Sequence, residues 1–416
     1  MEDAKRVVVT GAGVVSPYGI GVDVLWNSLL EGKSAIDRIT AFDTTEMASK
    51  IAAEVKDFDP TQYIDRKTAR RMDRFLQFAV AATKMCIEDS GLEITDENRK
   101  KIGVSIGSGI GGMGTLEKTH EVLLKKGPSK VSPFFIPMIL VNMPSGMAAI
   151  NHGLTGPNLC TVTACATGAH NIGLACDIIR EGKAQAMVVG GTEATITPLS
   201  FAGFCSMRAV SFSNDEPKKA SRPFDKNRDG FVMGEGCTIL MLESLESAKS
   251  RGAKVYGEIV GFGMSADAYH ITQPHPEGLG AILAMEMALE DAGIKPEKID
   301  YINAHGTATP LGDIAETKAI KKVFGAHSRK LAVSSTKSMT GHILGAAGAI
   351  ETLIILLATQ NNIVPPTINL NDPDPECDLD YVPNKARKMP VNYAMNNSFG
   401  FGGQDSVLIV KKYEDE

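Results

Sequence analysis

Cys165 stands in Thr161-Val162-Thr163-Ala164-Cys165-Ala166-Thr167-Gly168-Ala169-His170, where an apolar run gives way to small residues and then to helical spacing. A thiol at such a turn faces a helix N-terminus, whose dipole and unpaired N–H groups favour thiolate, the form that attacks acyl carbonyls. His305 follows Tyr301-Ile302-Asn303-Ala304 and precedes Gly306-Thr307-Ala308-Thr309-Pro310. That places its imidazole at the C-terminal end of a strand, where α/β proteins gather ligands. His342 follows Lys337-Ser338-Met339-Thr340-Gly341 at the start of the helix that carries Glu351. Glu351 lies among Ile350, Leu353 and Ile354, where a buried carboxylate needs a partner, and Lys337 is the candidate. A poised thiol, two imidazoles and a lysine form a set able to handle thioester chemistry.

These residues need elements to hold them. Short β-branched apolar runs recur at Val7 to Thr10, Ile102 to Ile106, Met187 to Val189, Ile239 to Leu242, Tyr256 to Val260, Tyr301 to Asn303, Leu331 to Ser335 and Val407 to Val410. Between them, helical spacing marks Phe75 to Ser90, Ala169 to Arg180, Ala281 to Ala292 and Leu344 to Gln360. Such alternation predicts an α/β fold. The Pro- and Gly-rich stretches Ser213 to Gly236 and Pro365 to Pro390 read as loops. Val7 to Gly13 and Glu258 to Gly263 both read as a strand closing on Gly-x-Gly. Gly234-Glu235-Gly236 with its following strand echoes Gly400 to Gly403 with its own. Two readings remain open here: a duplicated α/β unit with its seam near Arg251 to Tyr256, or chance similarity of glycine-flanked strands.

Composition bounds the rest. The chain has 416 residues, 43% apolar and 22% charged, enough for one large core or two moderate ones. Its longest apolar stretch, Ile343 to Thr359, is cut by Glu351, which argues against a bilayer-spanning helix. The N-terminal residues lead straight into Val7-Val8-Val9 without a secretory pattern, so a cytoplasmic protein is expected. Seven cysteines without a Cys-x-x-Cys pair disfavour a disulfide framework and a zinc site. A net charge of −6 opposes bulk attraction to nucleic acid or an anionic membrane. Locally, Arg66, Lys67, Arg70, Arg71 and Arg74 would cluster on adjacent turns of a helix, as a solvated face or as a dock for an acidic partner.

Three familiar patterns are discounted. Gly107-Ser108-Gly109-Ile110-Gly111-Gly112 fits G-x-G-x-x-G, but Lys125-Lys126-Gly127 lies where an acidic residue should close a nicotinamide site. Ser105 of G-x-S-x-G sits inside a strand, and Ser334-Ser335-Thr336-Lys337 has no companion motif.

Cys165 in TACATGAHNIG, His305 in NAHGTATPLGD, Lys337 and His342 in SSTKSMTGHILGAAGAIE, and Phe399 and Phe401 in NNSFGFGG carry a resemblance. Together they resemble the elongating β-ketoacyl-[acyl-carrier-protein] synthases of the thiolase superfamily, most of all the type II members of bacterial fatty acid synthesis. The likeness runs from VVVTGAGVVSP through SRPFDKNRDGFVMGEG to the last strand. It implies a thiolase-like fold: two duplicated α/β halves, residues 1–253 and 254–416, forming a layered α-β-α-β-α core. It also implies ping-pong condensation, in which Cys165 takes an acyl group as a thioester and the enolate of decarboxylated malonyl-acyl carrier protein attacks it. His305 and His342 would donate hydrogen bonds to that enolate. The N–H groups of Cys165 and Phe401 would form an oxyanion hole. Phe401, beside Phe399, would gate the acyl pocket, Lys337 with Glu351 would hold the charge pattern, and Thr307 and Thr309 would contact the pantetheine arm. Arg66, Lys67, Arg70 and Arg71, with Arg208, become the dock for acyl carrier protein. No cofactor or metal is expected beyond the phosphopantetheine of the substrates, and a homodimer is implied.

One departure stands out: the family commonly has Thr-Asn after GFGG, whereas Gln404-Asp405 follows here, which puts the hydrogen bonding around the gate in question. A degradative thiolase would carry a second cysteine in NNSFGFGGQDS, and an initiating synthase a His and an Asn in place of His305 and His342. A non-catalytic chain-length subunit would lack Cys165. A polyketide-type ketosynthase and, disfavoured by Cys165, a non-catalytic chain-length subunit are the alternative functions.

Overall fold

The computed structural model describes residues 5–414. Ten strands build its main sheet: β1 (Val7–Ser16), β2 (Ile102–Gly107), β3 (Asn158–Leu159), β4 (Ala186–Glu193), β5 (Gly236–Ser244), β6 (Gly257–Ala266), β7 (Tyr301–Asn303), β8 (Ala332–Ser334), β9 (Tyr393–Gly400) and β10 (Gln404–Lys411). The short strand Gly19–Ile20 pairs with the end of β1. The order across the sheet is β8-β7-β9-β10-β6-β1-β5-β4-β2-β3. On either side of the β6/β1 junction the same sequence of strands recurs, each number in one half being five higher than in the other. The pairing senses recur as well. β1/β5 and β5/β4 are antiparallel, with β4/β2 and β2/β3 parallel. β6/β10 and β10/β9 are antiparallel, with β9/β7 and β7/β8 parallel. Three antiparallel residue pairs between β1 and β6 join the halves.

The strands read as continuous apolar runs because both of their faces are covered, and successive side chains enter different cores. Leu240 and Leu242 of β5 and Leu408 and Val410 of β10 join one central cluster. Ile239 and Met241 point the other way, into a core beneath helix α1 (Arg74–Ser90). Val407 and Ile409 point into a third core, with residues of α3 (Leu279–Asp291). Between the two halves of the sheet lie α2 (Thr167–Arg180) and α5 (Ala347–Asn361), packed on each other and on strands of both halves. The layers therefore run α, β, α, β, α. The helix α4 (Pro310–Phe324) packs beside α3.

Leu344–Asn361 is by length and composition apolar enough to cross a bilayer even with Glu351 in it, but 89% of it is buried inside the fold, as in the core helix of a globular protein. A helix apolar all round is what a layer covered on both sides requires. The basic run differs from expectation. Its helix is a single turn, Arg66–Ala69, and the chain restarts at α1 because Asp73 caps the N–H of Phe75. Arg74 turns inward to Glu235 and the carbonyl of Val55, while Arg66, Lys67, Arg70 and Arg71 stay exposed.

The two Gly-x-Gly patterns have one cause. A Cβ on Gly13 of β1 would lie 1.9 Å from the carbonyl oxygen of Ala82 in α1, and one on Gly263 of β6 would lie 2.0 Å from that of Ala284 in α3. Each glycine lets an outer helix settle backbone to backbone on its strand. Gly263→Ala is expected to destabilise the fold by about 3 kcal/mol, since relief requires the helix to move. Gly203→Ala, in a helix with open space around it, should stay within about 1 kcal/mol of the parent. Urea unfolding of both variants checks the contrast.

Candidate active site

The chain enters the Cys165 turn along β3 and Thr161, which are pinned by Asn171 of α2. The amide of Asn171 accepts from the N–H of Thr161 at 3.0 Å and donates to its carbonyl at 2.9 Å. Ala164 then takes a left-handed conformation, φ 48°, ahead of a single 3-10 turn and α2. Leu344 adopts φ 44° at the corresponding point before α5. The two turns pack on each other, and the second also reaches the buried carboxylate of Glu193, which ends β4. It accepts from Ser108 Oγ at 2.7 Å, Gly109 N at 2.8 Å, Ile110 N at 3.3 Å and Gly345 N at 3.0 Å. The G-x-G-x-x-G segment is thus a loop folded around a carboxylate inside the protein.

His305 is held in the same way. Glu316 of α4 accepts from the N–H groups of His305 and Gly306 at 2.9 and 2.8 Å and from Asn397 Nδ2 at 2.9 Å. Asp313, one turn earlier, accepts from Ala308 N and Phe224 N and lies 3.5 Å from Arg228 Nε. Arg228 donates in turn to the carbonyls of Thr309 and Pro310. Burial pushes Asp313 up to about 7 against the pull of Arg228. The backbone of His342 is paired with Val232 and Gly234.

Cys165, His305, His342, Thr307, Thr309, Phe399 and Phe401 all line one cavity of about 550 Å³, with Arg208 at its wall. The imidazoles of His305 and His342 meet edge to face at 5.5 Å, and Phe399 lies 5.5 Å from His305. Lys337 and Glu351 stand behind this wall as a buried ion pair, 1% and 2% exposed. The short basic helix near Arg66 forms no part of the cavity lining.

Burial sets the electrostatics. It holds His305 and His342 well below the usual histidine range, and the charge of Lys337 adds to the effect, so both rings are neutral. Burial also pushes the Cys165 thiol up to about 12, against the pull of Lys337 and of a hydrogen bond from the N–H of Phe401. This corrects the expected thiolate: the thiol is 7% exposed, and desolvation outweighs the favourable groups around it. Glu351 is raised to about 7 by burial, opposed by Lys337. Among the described residues no cluster of three or more His, Cys, Asp or Glu side chains could hold a metal ion.

Glu193, Glu316, Asp313 and Arg228 escaped the reading of the sequence. Each joins segments far apart in the chain. The available signal was a charge set beside apolar residues, as at Glu193 after Met187 to Val189.

Two family models match the chain: the N-terminal domain of beta-ketoacyl synthase over residues 4–248 and its C-terminal domain over residues 256–371. The 3-oxoacyl-[acyl-carrier-protein] synthase 2 of Synechocystis sp. is 57% identical over 99% of both chains. The protein of that name from Coxiella burnetii is 56% identical over 99% of this chain and all of its own. Among solved structures, a beta-ketoacyl synthase from Burkholderia phymatum superposes with a TM-score of 0.91 at 36% identity, covering 99% of this chain and 100% of that one. A ketosynthase in complex with its type II PKS acyl-carrier protein is similar at a TM-score of 0.91 and 35% identity, over 99% of this chain and 100% of its own. Matched across both of its halves and more than half identical to relatives along almost its whole length, the chain belongs to the β-ketoacyl synthase family.

Proposed function

We propose that this protein catalyses the decarboxylative condensation of an acyl-enzyme thioester with malonyl-acyl carrier protein, giving 3-oxoacyl-acyl carrier protein in fatty acid elongation. The observation that carries this reading is the convergence of the Cys165 thiol, the Phe401 N–H that it accepts from, and two neutral imidazoles on one cavity. In the first half-reaction Cys165 Sγ attacks the acyl thioester carbonyl, and the thiol proton leaves with the pantetheine sulfur. The N–H groups of Cys165 and Phe401 hold the tetrahedral oxyanion. In the second, the malonyl carboxylate departs as carbon dioxide, leaving its electron pair in an enolate whose oxygen accepts hydrogen bonds from His305 and His342. Neutral rings suit this task, because they donate without protonating the enolate carbon. That carbon attacks the acyl thioester, a C–C bond forms, and Cys165 leaves as the thiolate.

Lys337 and Glu351 set the field behind the histidines, Thr307 and Thr309 face the pantetheine arm, and Phe399 supports the gate at Phe401. Substrates bring their own phosphopantetheine, and thiol, imidazole and backbone N–H groups carry the steps. The partner is acyl carrier protein, loaded with acyl or malonyl groups and received at Arg66, Lys67, Arg70, Arg71 and Arg208. The protein acts as a cytoplasmic homodimer of two thiolase-like halves; exposure of 73%, 55% and 71% at Leu124, Ile136 and Ile150 supports a second copy covering apolar surface. Identities of 56–57% to 3-oxoacyl-[acyl-carrier-protein] synthases 2 favour fatty acid over polyketide chemistry, and Cys165 disfavours a non-catalytic chain-length subunit.

Mixing the protein with a medium-length acyl-acyl carrier protein should give an adduct that maps to Cys165. A malonyl-acyl carrier protein chase should remove it and yield a product two carbons longer. Hydrolysis alone would overturn condensation, and absence of the adduct would overturn the nucleophile. Cys165→Ser should lower elongation by about 10³-fold with the fold intact by circular dichroism. Replacing Arg66, Lys67, Arg70 and Arg71 together by Glu should raise KM for carrier-protein substrates about tenfold and leave short synthetic thioesters unaffected. Equal effects on both would refute the dock.

A further inference from the structure

The turn from Gly400 to Gly403 carries Phe401 over Cys165, and a second loop, residues 267–278, lies against it. Two backbone hydrogen bonds join them: Asp267 N to Gly403 O and Gly402 N to Ile271 O, both 2.9 Å. At their junction, two carboxyls converge on the cavity wall. A point beside Gly280, where a Cβ would stand, is 2.1 Å from Asp405 Oδ2 and 2.7 Å from Asp267 Oδ1. Both side chains are buried, at 2% and 8% exposure. They are not equally provided for. Asp267 accepts from Gly280 N at 3.0 Å and from His275 N at 3.1 Å. Among the described residues no hydrogen bond reaches the carboxyl of Asp405.

The charged and titratable surroundings of Asp405 make ionisation worse. Asp267 faces it from the loop and Glu316 from α4, and both repel a second negative charge. On its own strand its neighbours are Gln404 and Ser406, across the ladder Phe399 and Ser265. His275 offers its backbone N–H to Asp267 while its ring packs on Tyr269 at 5.3 Å, and Lys318 of α4 pairs with Glu277. His305, on the same cavity, is neutral. Burial, with Asp267 and Glu316 adding to it, pushes Asp405 up to about 8.

We propose that Asp405 is a positioning residue for the gate: as the neutral acid it keeps the Gly400–Gly403 turn seated on loop 267–278, and as the carboxylate it unseats that turn. The sign follows from linkage. An acid whose pKa is raised in the closed state stabilises that state at low pH, and the advantage is lost as pH climbs through about 8. Entry to the Cys165 cavity would then depend on pH through a residue that takes no part in the chemistry.

Peptide-resolved hydrogen exchange on the full chain, wild type against Asp405→Asn from pH 6 to 9, tests this directly. Asparagine keeps the shape and a donor but has no proton to lose. The ratio of wild-type to variant exchange in residues 267–278 and 400–406 should rise by about tenfold per pH unit below 8 and level off above it, with no such trend in β1. A flat ratio in those segments, or an equal rise throughout, overturns the proposal. Asp267→Asn removes the facing charge and should move the levelling point of its own profile to lower pH; an unchanged profile also overturns it. Should a variant fail to fold, wild-type exchange in the two segments relative to β1 must still show the rise. Because the readout is backbone exchange, failure of the condensation reading would leave this result standing.

Discussion

A Cβ on Gly168 would lie 2.8 Å from the backbone nitrogen of Ala349, and one on Gly348 would lie 2.7 Å from that of Ala169. At this crossing α2 and α5 touch through their backbones, and nothing larger than hydrogen fits between them. The rest of the reactive end depends on that contact. It brings the two turns with Ala164 and Leu344 in left-handed conformations together, the second of them also donating Gly345 N to Glu193. The thiol from one half and the imidazole of His342 from the other then open on the same cavity. A larger residue at either glycine would separate the halves where they need to be closest.

Burial sets the electrostatics of these groups. An ion pair as buried as Lys337 and Glu351 is weak support for stability, because desolvating both charges offsets most of their attraction. The lysine of the pair acts electrostatically on the groups in front of it. Its charge adds to the burial that keeps both imidazoles neutral, and it pulls against the burial that still holds the thiol protonated. The free site thus presents neutral imidazoles and a protonated thiol that accepts from the N–H of Phe401.

Much of this was legible in the sequence. Strands covered on both faces leave a plain apolar trace, and all eight runs singled out fall in or against strands. Cys165 and the two histidines drew notice as residues at strand ends, and they do line one cavity, but only His305 directly follows a strand; Cys165 lies in a 3-10 turn and His342 between two helical turns. β9 drew no notice, because its centre is Asn396-Asn397-Ser398, polar residues buried among partners from α4 and α5. The carboxylates that gather backbone N–H groups were equally silent, since their donors arrive from loops up to 152 positions away. The acidity of Cys165 was misjudged for a related reason: a helix N-terminus is visible in a sequence, whereas the burial that outweighs it is a property of the whole fold.

The strand order has a consequence for how the molecule comes into being. β10 lies between β9 and β6, so β7, β8 and β9 are connected to the remainder of the sheet through it. During synthesis a ribosome will have made Cys165, both histidines and the lysine long before residues 404–411 emerge to close that gap. Until they insert, β7, β8 and β9 are tied to the half that carries the thiol by contacts such as those of α5, and not through the sheet. Closure of the sheet is therefore left to the last residues made, and a nascent chain carries Cys165 for most of its growth without the strand that completes the sheet around its cavity.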